Sequence, residues 1–179
     1  MINWDELKHI HVIRKLEEIL GNWFDTEIFF VDAKGQFKNW EPGSKHEFKN
    51  SLSAILGAKP NGQELLARMA RLVTEKISKS EKTTLLTDGV LGPEKCFAAK
   101  IAVDNEFLGT GIAYPVMTQD LMSAEKVKAK DAAKTAGLDH GDTEKALDKL
   151  KALSGGELDY FKQLVDLVAQ EITTFHTEI

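Results

Sequence analysis

The stretch Lys95–Val116, KCFAAKIAVDNEFLGTGIAYPV, constrains the fold more than any other part of the chain. Phe97, Ala99, Ile101 and Val103 alternate along its first arm, and Leu108, Thr110, Ile112 and Tyr114 along its second. Alternation over that length is the pattern of two paired strands. Asp104 and Asn105 between the arms suit a two-residue type I′ turn, because both residue types tolerate positive φ. That turn predicts a register: Val103 opposite Glu106, Ile101 opposite Leu108, Ala99 opposite Thr110 and Phe97 opposite Ile112. One face then carries Phe97, Ala99, Ile101, Leu108, Thr110, Ile112 and Tyr114. The other is nearly bare, with Cys96, Ala98, Ala102, Gly109, Gly111 and Ala113 beside Lys100 and Phe107. A bare face lets helices approach the sheet backbone, and the terminal helices are expected there. The bulky face either fills a core or lines a cavity. Ala99 and Thr110 leave room in its middle for a small apolar ligand with one polar group.

The rest of the chain supplies helices for such a sheet. Trp4, Leu7, Ile10, Ile13, Leu16 and Leu20 recur at three and four, which predicts a helix over 4–20 with Asn3 as N-cap and Gly21 as stop. TEIFFVDAKGQFKNW reads as strand, turn and strand, with Asp32–Gly35 as the turn. GSKHEFKNSLSAILG predicts a short helix, and NGQELLARMARLVTEKISKS a longer amphipathic one with Leu65, Met69, Leu72, Val73 and Ile77 on one side. TTLLTDGV is a short strand. Residues 118–151, rich in Ala, Lys and Asp, read as surface helices broken at Gly137–Gly141. Ser154 and Glu157 form a capping box at the start of a final helix over 155–179. The order predicts one α+β domain over 1–179, with a mostly antiparallel sheet flanked by helices on both faces and a helical insertion before a long C-terminal helix.

Composition and motifs narrow the function. The net charge of -5 argues against a nucleic-acid partner, since phosphate binding needs a concentrated positive field. One cysteine, Cys96, permits no internal disulfide and fits a reducing compartment. The start MINWDELKHI has no secretory pattern, and no apolar run approaches the roughly 18 residues of a membrane span, so a cytoplasmic location without membrane contact is expected. No phosphate-binding loop, dinucleotide fingerprint or zinc-ligand pattern is present, so no cofactor, metal or catalytic residue is expected. His9 and His11 point about 200° apart on a helix and cannot share a metal. Cys96 has no base beside it in sequence, His176 no nucleotide motif with it, and the lysines of EKVKAKDAAK are interrupted by acids. An enzyme assembled from Asp32, His46 and Tyr114 is the weakest of three readings.

The last helix carries a further signal. Leu158, Phe161, Val165, Val168, Ile172, Phe175 and Ile179 alternate steps of three and four, an a/d seam. With Leu164 and Leu167 added, the same helix reads as a core helix on the sheet. The early half is expected on the domain. The late half is expected at an interface, either a homodimer or another protein, through Val165, Val168, Ile172, Phe175 and Ile179.

The hairpin AAKIAVDNEFLGTGIAYPV resembles the GAF-like ligand-sensing domains, and within them the PocR branch, in its apolar strand, acidic turn and "LG" leading into a glycine-containing strand. AAKTAGLDHGDTEKALDKLKALSGGELDYFKQLVDLVAQEI resembles the PocR insertion and exit helix. Together these cover about the C-terminal half; the N-terminal half agrees only in element order. TTLLTDGVLGPEKCF departs from the PocR pattern, having no cysteine at the expected place and a different order at Leu91-Gly92. The resemblance implies a non-enzymatic sensory domain of bacterial signal transduction, binding a small ligand between sheet and helices. Face assignment puts Trp40, Phe48, Phe97, Ala99, Thr110, Ile112 and Tyr114 around that ligand. No output domain follows in this sequence: a complete chain is expected to signal to a partner in trans, whereas in a fragment the last helix is expected to connect to the output. The alternative is a domain of this kind without ligand, serving as a scaffold for a response regulator, kinase or small GTPase.

Overall fold

The computed structural model describes residues 2–7 and 9–178. The alternating segments form β1 (Glu27–Asp32), β2 (Thr84–Asp88), β3 (Lys95–Val103) and β4 (Glu106–Val116), one antiparallel sheet in the order β1-β4-β3-β2. Helices α1 (Trp4–Leu7) and α2 (His11–Phe24) precede it, and α3 (Ser51–Ala58) and α4 (Pro60–Lys79) lie between β1 and β2. Helices α5 (Ser123–Thr135), α6 (His140–Asp148) and α7 (Gly155–Glu178) follow. This is the expected α+β architecture, with helices on both faces of the sheet.

Each face has its own core. Ile28, Phe30, Phe97, Ala99 and Ile101 pack with α2 and α7, through Leu16, Leu20, Phe161, Val165 and Val168. Phe29, Val31, Cys96, Ala98, Ile112 and Tyr114 pack with α3, α4, α5 and α6, through Leu52, Leu56, Leu66, Met69 and Leu147. The 118–151 helices are not merely on the surface. Ala129, Ala133, Leu138, Ala146 and Leu147 are buried, because alanines let α5 sit close where a bulkier stripe would hold it off.

The hairpin corrects the predicted register. Asp104 (φ 51°) and Asn105 (φ 66°) make the turn, and Val103 opposes Glu106 as expected. Ala102 then opposes Phe107, but Ile101 opposes Gly109, so Leu108 is the extra residue of a bulge. Beyond it every partner is one further along: Ala99 meets Gly111, not Thr110, and Phe97 meets Ala113, not Ile112. A one-residue slip exchanges the faces of a strand. The glycines of β4 therefore stand beside Phe97 and Ile101, and Cys96 and Ala98 beside Ile112 and Tyr114. The terminal helices do cover the glycine side, as expected. At Gly109 the close approach is strict: a Cβ there would run into the Val31 carbonyl and meet the Trp4 ring at 3.2 Å. A second irregularity precedes Val116, where Pro115 has no N–H for the ladder.

Two other boundaries differ from expectation. The first helix is broken: Ile10 is extended (φ -78°, ψ 118°), Asn3 caps only α1, and α2 runs through Gly21 to stop at left-handed Asp25. The break lets Trp4 reach Gly109 while α2 lies along α7. The segment after Gly35 makes only one bridge, Val31 with Phe37, instead of a second strand. The Asn39 side chain takes over the pairing, accepting from Phe30 N at 2.8 Å and donating to the Ile28 carbonyl at 2.8 Å. It thereby satisfies part of the outer edge of β1.

Candidate functional site

The segment 34–46 and α4 enclose an open cleft of about 800 Å³. Local chemistry builds its first wall. Asp32 Oδ1 accepts from Lys34 N at 2.9 Å and Gln36 N at 3.0 Å, and Gly35 turns the chain at φ 85°. A side chain at Gly35 would be strained by that φ and would meet the Arg71 Cα at 3.0 Å, so the turn lies directly on α4. Lys34, Lys38 and Lys45 line the cleft from this segment; Ala67 and Arg71 line it from α4. Aromatic rings form a chain beneath: Phe29 to Phe37 at 5.2 Å, Phe37 to Trp40 at 4.9 Å, Trp40 to Phe48 at 5.7 Å and Phe48 to His46 at 4.5 Å.

The residues expected around a ligand do not share one place. Trp40, Ile112 and Tyr114 lie in the α3–α6 core, with Phe48 packed against it. Thr110 is buried, and its hydroxyl has no hydrogen-bond partner among the described residues. Phe97 and Ala99 lie in the other core, against α7, because the Leu108 bulge turns them away. Of the seven, Trp40 lines the large cleft. The cations were legible but unread: 34–49 interleaves Lys34, Lys38, Lys45 and Lys49 with Phe37, Trp40 and Phe48. Reading Phe37–Trp40 as a strand hid that pattern.

A second cluster was also missed. Glu94 is 1% exposed, at the end of the loop from Gly89. It accepts a hydrogen bond from the Tyr114 hydroxyl and from Leu91 N at 3.1 Å. Burial pushes its carboxyl up, against the lowering effect of those hydrogen bonds. Burial also raises the Tyr114 hydroxyl, and the Glu94 charge adds to the effect. Neighbouring Cys96 is fully buried and its thiol is pushed up to about 12, first by burial and then by Glu94. A thiol so held is a poor nucleophile at neutral pH. The Tyr114 hydroxyl thus donates its hydrogen bond to Glu94 while Asp32 accepts from the turn, and no hydrogen bond joins them to His46 among the described residues.

A third group sits where α2 meets β1. Glu27 Oε1 accepts from Lys49 N and from Asn50 N at 3.0 Å, and Asn50 Oδ1 caps α3 through Leu52 N and Ser53 N. Glu17 on α2 is raised from 4.5 to about 7, by burial first and by the Glu27 charge second. A raised native value means the folded state holds a proton that the unfolded chain has released. The Glu17 contribution to stability is therefore full below pH 4.5 and is lost as pH rises through about 7. Urea unfolding at pH 5 and pH 8 should show a loss of order 2 kcal/mol from Glu17, smaller in Glu17→Gln. An equal loss in both proteins would mean Glu17 is solvated.

The proposed interface is largely interior. Val165, Val168 and Ile172 are each fully buried against the sheet and α2, and Phe175 packs on the same core. The seam and the core stripe are the same residues, so the a/d spacing reports sheet packing. Ile179 lies outside the described residues. Leu164 joins the buried stripe, whereas Leu167 is 38% exposed. Exposed aromatics lie elsewhere on this side: Trp23 at 81% and Tyr160 at 56%, with Trp23 lining a groove of about 650 Å³ with Phe24, Pro115, Leu150 and Leu153.

Among the described residues no group of His, Cys, Asp or Glu converges to hold a metal ion, and no helix is long and apolar enough to cross a membrane. The fold and cleft define an α+β domain with a helix-covered antiparallel sheet and a surface cleft at one sheet edge. No family model, curated protein or solved structure matches the chain.

Proposed function

We propose that the domain is a non-enzymatic sensory or regulatory module of the kind its resemblance to GAF and PocR domains implies. In this reading a small ligand binds in the cleft between 34–46 and α4, not in the sheet interior. The observation that carries it is the cleft itself, of ligand size and bounded by a segment held on a sheet edge by the Asn39 side chain. The route to the output side is short. Asn39 bonds the backbone of Ile28 and Phe30, whose side chains pack with α2 and α7 on the far face. A ligand that favours one placement of 34–46 shifts the population of arrangements of the terminal helices by its differential affinity. The test is a thermal-shift screen of small molecules with Ala67→Trp as control. A ligand that raises Tm for the natural chain and not for the variant supports the reading. Equal shifts in both place the ligand elsewhere.

The exposure of Trp23 and Tyr160 beside the 650 Å³ groove favours a second reading, a protein-interaction scaffold. A response regulator, kinase or small GTPase in trans would then contact the α2–α7 side. It gains weight if no small molecule in the screen acts through the cleft.

A further inference from the structure

We infer that the cleft between 34–46 and α4 selects organic anions: phosphate- or carboxylate-bearing small molecules with a planar apolar body. This rests on the reading of the cleft as the ligand site and names what it takes. The chain carries a net charge of -5, yet the cleft is lined by Lys34, Lys38, Lys45 and Arg71 against a single acid, Glu41. Two of these cations are braced. Arg71 rests its stem on Gly35, where no side chain intervenes, and its Nη2 meets Glu64 Oε1 at 2.9 Å. Lys38 Nζ lies 3.4 Å from Asp32 Oδ2, the carboxylate that also shapes the turn. Those two charges are partly answered within the protein. Lys34 and Lys45 have no carboxylate within ion-pair distance among the described residues, so their charge faces the cleft unneutralised.

The concave wall strengthens the field, since a cleft focuses potential that a flat surface dissipates. Fixed guanidinium and mobile ammonium groups together suit an anionic headgroup: Arg offers a planar fork, and lysines adapt around it. The second half of the ligand is set by the floor. Half-buried Phe37, backed by buried Trp40 at 4.9 Å, presents apolar, flat surface beside the cations. A compact inorganic anion would leave that surface unused, and a neutral planar compound would leave Lys34 and Lys45 unused. The volume of about 800 Å³ admits a molecule carrying both parts.

The test is ligand-observed saturation-transfer NMR on matched probes, with the full chain and with Lys34→Ala/Lys45→Ala. Those two side chains brace nothing, so the variant should keep the parent's melting temperature. The probes are benzoate, phenyl phosphate, AMP and ADP, with benzyl alcohol and adenosine as neutral counterparts and inorganic phosphate alone. The expected result is binding of the organic anions over their neutral counterparts. The double variant should weaken it about tenfold, as loss of two charge contacts at an exposed site implies, and salt should weaken it too. Three outcomes overturn the inference. Neutral probes binding as well as anions, with Ala67→Trp blocking both, would leave a ligand cleft without charge selection. Anion binding unchanged in the double variant would place recognition elsewhere. No probe binding at all would remove the anion assignment and, if the thermal-shift screen also finds nothing, the ligand cleft with it.

Discussion

Replacing Glu94 with alanine should destabilise the domain by about 3–5 kcal/mol, read as a lower urea midpoint with an unchanged m-value. The carboxyl accepts from a fully buried tyrosine hydroxyl and from the Leu91 amide. Removing it orphans both donors and leaves a cavity in a buried site, and each loss alone is worth about 1–3 kcal/mol. Tyr114→Phe should cost less, about 1.5–3 kcal/mol, because the carboxyl keeps its backbone donor. Glu94→Leu with Tyr114→Phe should cost less than the two single changes added, since the second removes a group the first has already orphaned. The proton linkage has a definite sign. Burial raises the Glu94 carboxyl, so its contribution favours the fold below the ordinary value of 4.5 and is lost as pH rises through the native value. Glu94→Gln removes that slope while keeping the shape. A near-neutral Glu94→Ala would mean that the loop from Gly89 to Glu94 is held by something other than this pair.

That cluster shows what the sequence conceals. Glu94 stands in GPEK, which reads as a solvated turn, and nothing local marks it for burial. It is interior where Gly89 leaves space for the Tyr114 ring, and a Cβ at Gly89 would come within 2.7 Å of that ring. Contact between distant segments decided the matter. The hairpin divides the same way. Its turn was legible from Asp104-Asn105, two residues that accept positive φ. Its face assignment was not, because the Leu108 bulge depends on packing that no alternation pattern encodes. One extra residue was enough to separate Phe97 and Ala99 from Thr110, Ile112 and Tyr114. For α5, the helix was legible and its burial was not, since an alanine stripe looks weakly amphipathic yet packs closely. In the cleft, Trp40 is legible from the sequence as a lining residue with Lys34, Lys38 and Lys45 near it in the chain, whereas Arg71 comes from α4, a distant part of the chain.

Ile172→Glu should leave the domain largely unfolded at 25 °C, because a fully buried aliphatic in an apolar core becomes a buried charge. The milder Ile172→Ala should cost about 2–5 kcal/mol from lost transfer energy and cavity. Leu167→Glu is the control. Five residues earlier on α7 and 38% exposed, it should change stability by no more than about 0.5 kcal/mol. The contrast separates the two meanings of the a/d spacing. In a coiled-coil seam, a/d positions face a second helix, and charging one would dissociate a complex while sparing the monomer. Here Phe161, Leu164, Val165, Val168, Ala169 and Ile172 form one buried stripe, wider than an a/d seam and seated on the sheet and α2. Circular dichroism with urea unfolding reads stability, and sedimentation velocity reads mass. Lost helicity in Ile172→Glu is the expected outcome. A folded Ile172→Glu protein with reduced mass would instead make the stripe an interface and place α7 away from β3.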